Sequence, residues 1–184
     1  MPTSLPRNKV KKNETWNSES VFATSEAFES ELKNFVESLP TIKKFQGHLG
    51  EKPDNLIEAM SVLEKLQARA NKIRVYANMS HSVNTADQNA AAMNGKAVSA
   101  LAQLRAAASF IDPELLSLGK DTLEKWINDD PRLKLYAHYV DDLFRKQAHV
   151  RSAEVEEILG MLQDPFRGAA STAGMLANAD FKFK

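Results

Sequence analysis

The chain has 184 residues, 43% of them hydrophobic, and 24 Lys and Arg balance 24 Asp and Glu to a formal charge of zero. A chain of this length buries about 70% of its unfolded surface, so a core forms without staples and one or two domains are expected. The balanced charge argues against a nucleic-acid or anionic-membrane partner, each of which needs a basic excess, and the lack of cysteine excludes a disulfide scaffold, a thiol nucleophile and cysteine-ligated zinc or iron–sulfur centres.

Residues 1–24 read as an extended, polar N-terminal arm, with Pro2 and Pro6, anchored by Trp16 and Phe22. Arg7, Lys9, Lys11 and Lys12 form a small basic patch there, read as solvated rather than phosphate-binding. No apolar stretch of signal-peptide type follows these basic residues. No run approaches the roughly 18 apolar residues of a membrane span. The expected location is therefore cytoplasmic, in keeping with the reducing compartment that a cysteine-free chain suits. The sequons at Asn13 and Asn78 are then chance occurrences.

Residues 25–112 read as an N-terminal helical domain. Its first helix, 25–39, carries Phe28, Leu32, Phe35 and Leu39 at helical spacing. Between Pro53 and Val83 the apolar residues Leu56, Met60, Leu63, Leu66, Ala70, Ile73 and Ala77 recur in steps of three and four, one face of a long helix. A second long helix is expected over 87–110, with Val98, Leu101, Leu104, Ala108 and Ile111 as its stripe and alanines that permit close approach of a neighbour. Only a few polar residues around Asn84 and Thr85 separate the two, which predicts an antiparallel hairpin.

Residues 113–184 read as a smaller helical domain. Asp112-Pro113-Glu114 has the form of an N-cap, a first-turn proline and an acid. Asp121 and Glu124 have capping-box spacing, and Asp130-Pro131 repeats the cap-and-proline device before Leu133, Tyr136, Val140, Leu143 and Phe144. Ser152 is expected to open a last helix with the stripe Val155, Leu159, Leu162, Phe166, Ala169, Ala173 and Leu176, kinked or broken at Pro165. The ending 179–184 alternates apolar and charged residues as a strand does. An isolated strand is unstable, so chain beyond Lys184 is expected. The fold class is all-α and multi-helical, an antiparallel long-helix hairpin plus further helices, with a strand beginning at the C-terminal end.

The residues offer no catalytic motif: no H-E-x-x-H, G-x-S-x-G, Walker loop or G-x-G-x-x-G. Ser171, between Gly168 and Gly174, has the wrong glycine spacing for a nucleophile and reads as part of a small-residue packing surface. His138 and Asp142, at i and i+4, could share a helix face and chelate a metal, but no third ligand is identifiable. His149 reads as a loop residue, Tyr136 and Tyr139 as packing residues. No catalytic, cofactor-binding or metal-binding residue is assigned.

The order of local patterns is more specific. Leu5-Pro6-Arg7, Thr15-Trp16-Asn17, Val21-Phe22, Phe45-Gln46-Gly47-His48-Leu49-Gly50 and Val75-Tyr76-Ala77 occur in sequence. They are followed by Phe110-Ile111-Asp112-Pro113-Glu114-Leu115-Leu116, Tyr139-Val140-Asp141-Asp142-Leu143-Phe144-Arg145 and Asn178-Ala179-Asp180-Phe181-Lys182-Phe183. In this order they resemble the N-terminal region of the oligoendopeptidase F family. The resemblance implies a zinc metalloendopeptidase that hydrolyses internal bonds of short peptides, with a zinc-bound water activated by the Glu of an H-E-x-x-H helix further downstream. It implies that this segment carries no catalytic residue and no cofactor, forms a cavity wall or lid, is inactive alone, and has the catalytic half of the same polypeptide as its partner, with oligopeptides as substrates of the whole enzyme. An exposed apolar patch is then expected where the catalytic half docks. The alternative reading is a stand-alone, non-catalytic helical interaction module.

Overall fold

The computed structural model describes residues 9–147, 153–177 and 181. These form eight α-helices with no strand among the described residues. Over residues 12–20 the arm is wound into two short 3-10 turns, Lys12–Glu14 and Ser18–Ser20, rather than extended. The chain then enters α1, Ser25–Ser38. Thr24 starts this helix: its side-chain oxygen accepts the Ala27 N–H at 3.2 Å, satisfying one of the orphan donors of the first turn. Thr24→Ala is expected to cost about 1 kcal/mol of stability, the usual worth of such a cap, seen as a lowered urea midpoint at unchanged m-value. Pro40 then opens the single turn α2, Pro40–Lys43.

Two long helices follow. α3, Pro53–Val83, begins at a proline, where the missing N–H costs nothing. Its 31 residues make a rod of about 46 Å at 1.5 Å per residue. α4, Gln88–Ala108, is capped by Asp87, whose carboxylate accepts the N–H groups of Asn89 at 2.9 Å and Ala90 at 3.1 Å. The two form the antiparallel hairpin, and their mutual packing is the most extensive in the molecule. The buried face of α4, however, is only partly the expected one: Leu104 and Ile111 of the expected stripe are buried. Ala97, Ala100, Leu104 and Ala107 are buried, while Val98, Leu101 and Ala108 are only half-buried. Its buried alanines let neighbouring helices approach closely, and α4 packs against α1 and α2 as well as α3.

The remaining helices are short. α5 is Ile111–Leu118 and α6 is Lys120–Asp129. A 3-10 segment, Pro131–Tyr136, leads into α7, Ala137–Arg145, and α8 is Ala153–Met175. Asp130 caps as expected, accepting the Arg132 N–H at 2.9 Å. Asp112 does not: α5 starts one residue before it with Phe110 in the cap position and no side-chain cap bond. Asp121 is likewise inside its helix, because Gly119 at φ +82 makes the turn between α5 and α6. A left-handed φ of that kind is one glycine adopts without a Cβ clash.

A single apolar cluster runs from Phe22 to Leu143 and includes residues of α1 through α7. At its centre Phe28, Phe35, Ile42, Leu49 and Ile73 are fully buried. Phe22 meets Phe28 edge-on at 5.8 Å and Tyr76 at 5.2 Å, and Phe28 stacks on Tyr76 at 5.4 Å, so three rings join the arm to α1 and α3. Arg69 adds a polar tie beside them: it donates to Glu31 at 2.7 Å and to the Ser38 hydroxyl at 2.8 Å, with its guanidinium over the Phe35 ring.

α8 behaves differently. It packs against α4, yet none of its described side chains is buried. The expected stripe Val155, Leu159, Leu162, Phe166 and Leu176 is exposed, Phe166 by 75%. Pro165 does not break the helix, which is continuous from Ala153 to Met175. The expected start at Ser152 lies outside the described residues. So does the C-terminal strand over 179–184, apart from Phe181, which is in no strand and donates its N–H to the Leu176 carbonyl at 2.8 Å.

Candidate functional site

An open cleft of about 750 Å³ lies between the hairpin and the C-terminal helices. Helical periodicity builds its walls. From α3 come Met60, Leu63, Glu64, Gln67 and Asn71, all on one face, and from α4 come Leu101, Leu104, Arg105 and Ala108 at the same spacing. Ile111 and Asp112 enter from the start of α5, Tyr136 and Tyr139 from the far side, and Leu159 with Gly160 from α8. Leu63 and Leu101, both assigned to core stripes from the sequence, are half-buried because they line this cleft.

Two tyrosine–carboxylate pairs mark the cleft's polar part. Tyr136 donates its hydroxyl to Glu64 at 2.8 Å, and Tyr139 donates to Asp112 in a second, shorter hydrogen bond. Burial, reinforced by the Glu64 carboxylate, pushes the Tyr136 phenol up to about 12. Burial and the Asp112 charge push Tyr139 well above the ordinary phenol range. Both tyrosines therefore stay protonated and act as donors that fix the carboxylates. The sequence reading of them as packing residues covered only half of their role. Asp112 serves here as an acceptor across 27 residues, in place of the local cap expected of it.

The other sequence candidates are dispersed. His138 is exposed, and Asp142 is bonded instead to Arg145 and Lys146 within its own stretch of chain. Those two cations, Lys146 foremost, hold the Asp142 carboxyl below the usual range. His149 lies outside the described residues. Ser171 is exposed on α8, and a Cβ added at Gly160, Gly168 or Gly174 would meet nothing. In the arm, Lys11 and Lys12 pair with Glu14 and Glu19, which fits a solvated patch. Among the described residues no three His, Asp or Glu side chains converge as a metal site. No helix there is long and apolar enough to cross a membrane.

His48 sits in a network that sequence spacing did not disclose. Its Nδ1 is 2.6 Å from Glu51 Oε1, and Asn55 bonds both Glu51 and the His48 carbonyl at 3.0 Å. The neighbouring Gly47 N–H donates to Glu114 of α5 at 2.6 Å, tying the loop before α3 to the second half of the chain. The hydrogen bond to Glu51 raises the His48 pKa above its ordinary 6.5. A raised folded-state value means that the pair's contribution is present below pH 6.5 and is lost as the pH rises through the folded pKa. A proton NMR titration is expected to place the His48 midpoint above 6.5, and Glu51→Gln to bring it back toward that value. A midpoint insensitive to the substitution would contradict the pairing.

Comparison with known proteins gives this geometry its relatives. A family model described as Oligopeptidase F matches residues 114–183. The chain is 30% identical to Oligopeptidase PepF of Bacillus subtilis over 177 residues, 96% of this chain and 26% of that protein. It is also 30% identical to Group B oligopeptidase PepB of Streptococcus agalactiae, covering 96% of this chain and 30% of that one. In three dimensions it resembles the crystal structure of oligoendopeptidase-F from Enterococcus faecium, with a TM-score of 0.80 at 26% identity over 88% of this chain and 32% of that chain. The chain thus spans about a quarter to a third of the length of the relatives it matches. Sequence similarity along nearly all of the chain and a shared all-helical fold make it similar to the N-terminal region of the oligoendopeptidase F family.

Proposed function

We propose that the chain is the N-terminal helical part of an oligoendopeptidase F-like zinc metalloendopeptidase, in which it forms a wall of the chamber that admits short peptides. The observation that carries this reading is the face of α8. Ile158, Met161 and Phe166 are exposed by 46%, 58% and 75% in a helix within the segment matched by the family model. Contiguous exposed apolar residues on this scale mark an interaction surface rather than a finished exterior. The remainder of the polypeptide, carrying the catalytic residues and the zinc, is the partner this reading assigns to that face. The described residues of this chain do not fit a zinc site, so no catalytic step is routed through them.

Two measurements test it. The purified 184-residue chain should bind a hydrophobic dye and self-associate; a monodisperse monomer that leaves the dye dark would overturn the docking role. Reading the coding frame beyond the Lys184 codon should reach an H-E-x-x-H helix. An immediate stop codon there would overturn the enzyme reading and leave a stand-alone helical interaction module.

A further inference from the structure

The cleft between α3, α4 and α7 carries an inference that does not depend on the peptidase reading. Its volume of about 750 Å³ lies within the range of small-molecule sites. Its lining combines apolar surface with a few convergent polar groups, the usual composition of such sites. The charges have a sign. Glu64 and Asp112 set against Arg105 leave one net negative charge among the acidic and basic side chains that line it. Arg105 is not free either. Neither Glu64 nor Asp112 has an ion-pair partner among the described residues. Each is instead held by one tyrosine hydroxyl at one oxygen, which leaves its second oxygen as an acceptor and its charge uncompensated.

We propose that this cleft binds a small organic cation with an apolar body, its ammonium group taken by the Glu64 and Asp112 carboxylates and its hydrocarbon part laid on Leu63, Leu101 and Ile111. The tyrosines preorganise the site: their hydroxyls fix the two carboxylates, so the ligand does not have to order them. The Tyr136 and Tyr139 rings supply further attraction for a cation that reaches their faces. An anion of the same shape meets two carboxylates and is rejected. The ligand chemistry has two sources, a free amine or the amino end of a short peptide.

Titrating the 184-residue chain with phenethylammonium, followed by backbone amide shifts, should give saturable changes at α3 and at the start of α5. The isosteric anion 3-phenylpropionate should bind at least about tenfold more weakly, the factor that one charge-assisted hydrogen bond is worth. Glu64→Gln, an exposed helix-surface change that leaves the fold intact by circular dichroism, should weaken the amine by a similar factor, and Asp112→Asn should do the same while keeping the acceptor for Tyr139. Phenylalanyl-leucine amide and its N-acetylated form separate the two sources. Binding of the free-amino dipeptide with loss on acetylation identifies a peptide end, and binding of phenethylammonium alone identifies a small amine. Equal binding of the amine and 3-phenylpropionate, no saturable shift into the tens of millimolar, or an affinity unchanged in both carboxamide variants would overturn the proposal.

Discussion

Phe28→Ala is expected to destabilise the chain by about 3–5 kcal/mol, the range for removing a large aromatic from a core. Phe28 is completely buried. It stacks on Tyr76 of α3 and meets Phe22 edge-on, so truncation loses dispersion with both rings and leaves a cavity between the arm, α1 and α3. Aromatic pairs add about 0.5–1.5 kcal/mol each beyond area burial, and two such pairs go at once. Against a total of about 5–15 kcal/mol for a typical domain, a loss of this size is a large share of the whole. Urea denaturation measures it. A loss below about 1 kcal/mol, in the range of ordinary surface changes, would mean that α1 does not pack on α3 through this ring.

Ala97→Leu should have the second-largest effect, by the opposite mechanism. Ala97 is fully buried in α4, whose main packing partner among the described residues is α3. Three added carbons have no room at a fully buried alanine, and overpacking costs about 1–3 kcal/mol or more. The same helix supplies its own control at Gly95, where a Cβ would meet nothing. Gly95→Ala should raise stability by about 0.5–1 kcal/mol, the helix-propensity difference between the two residues. Both effects are read from denaturation midpoints. If Ala97→Leu were neutral and Val98→Ala costly, the hydrophobic stripe first read from the sequence would be the true interface.

Among the described residues, several of the polar ties between the two halves of the chain are exposed. Arg132 bridges Asp54 at 2.7 Å and Asp130 at 2.6 Å, and Tyr136 reaches Glu64. Exposed ion pairs of this kind contribute little to stability, so the halves are joined mainly by the apolar cluster beneath them. The cleft opens where that cluster gives way to half-buried residues. The same transition from core to cleft lets Leu63 and Leu101 serve both as hairpin packing and as cleft wall.

What the sequence determined by itself was local. The limits of α3, Pro53 and about Val83, follow from the sequence, because first-turn proline and 3.6-residue periodicity are short-range signals. α4 was placed to within one or two residues, Asp87 serving as its cap, and the hairpin followed from the short connection between the two. The family resemblance rested on short runs of residues in order, and it too needed no contact information. The tertiary structure decided everything that depends on which surfaces meet. Periodicity offers several faces of an alanine-rich helix for burial, and the choice of Ala97, Ala100 and Ala107 over Val98 and Leu101 is made by the helices that pack around α4. Likewise Asp112 stands where a cap is expected, yet its carboxylate is taken by Tyr139, 27 residues away, and Glu64 meets Tyr136 across 72 residues. Spacing along a chain carries no trace of such pairs, because side chains far apart in sequence become neighbours only once the helices between them have packed.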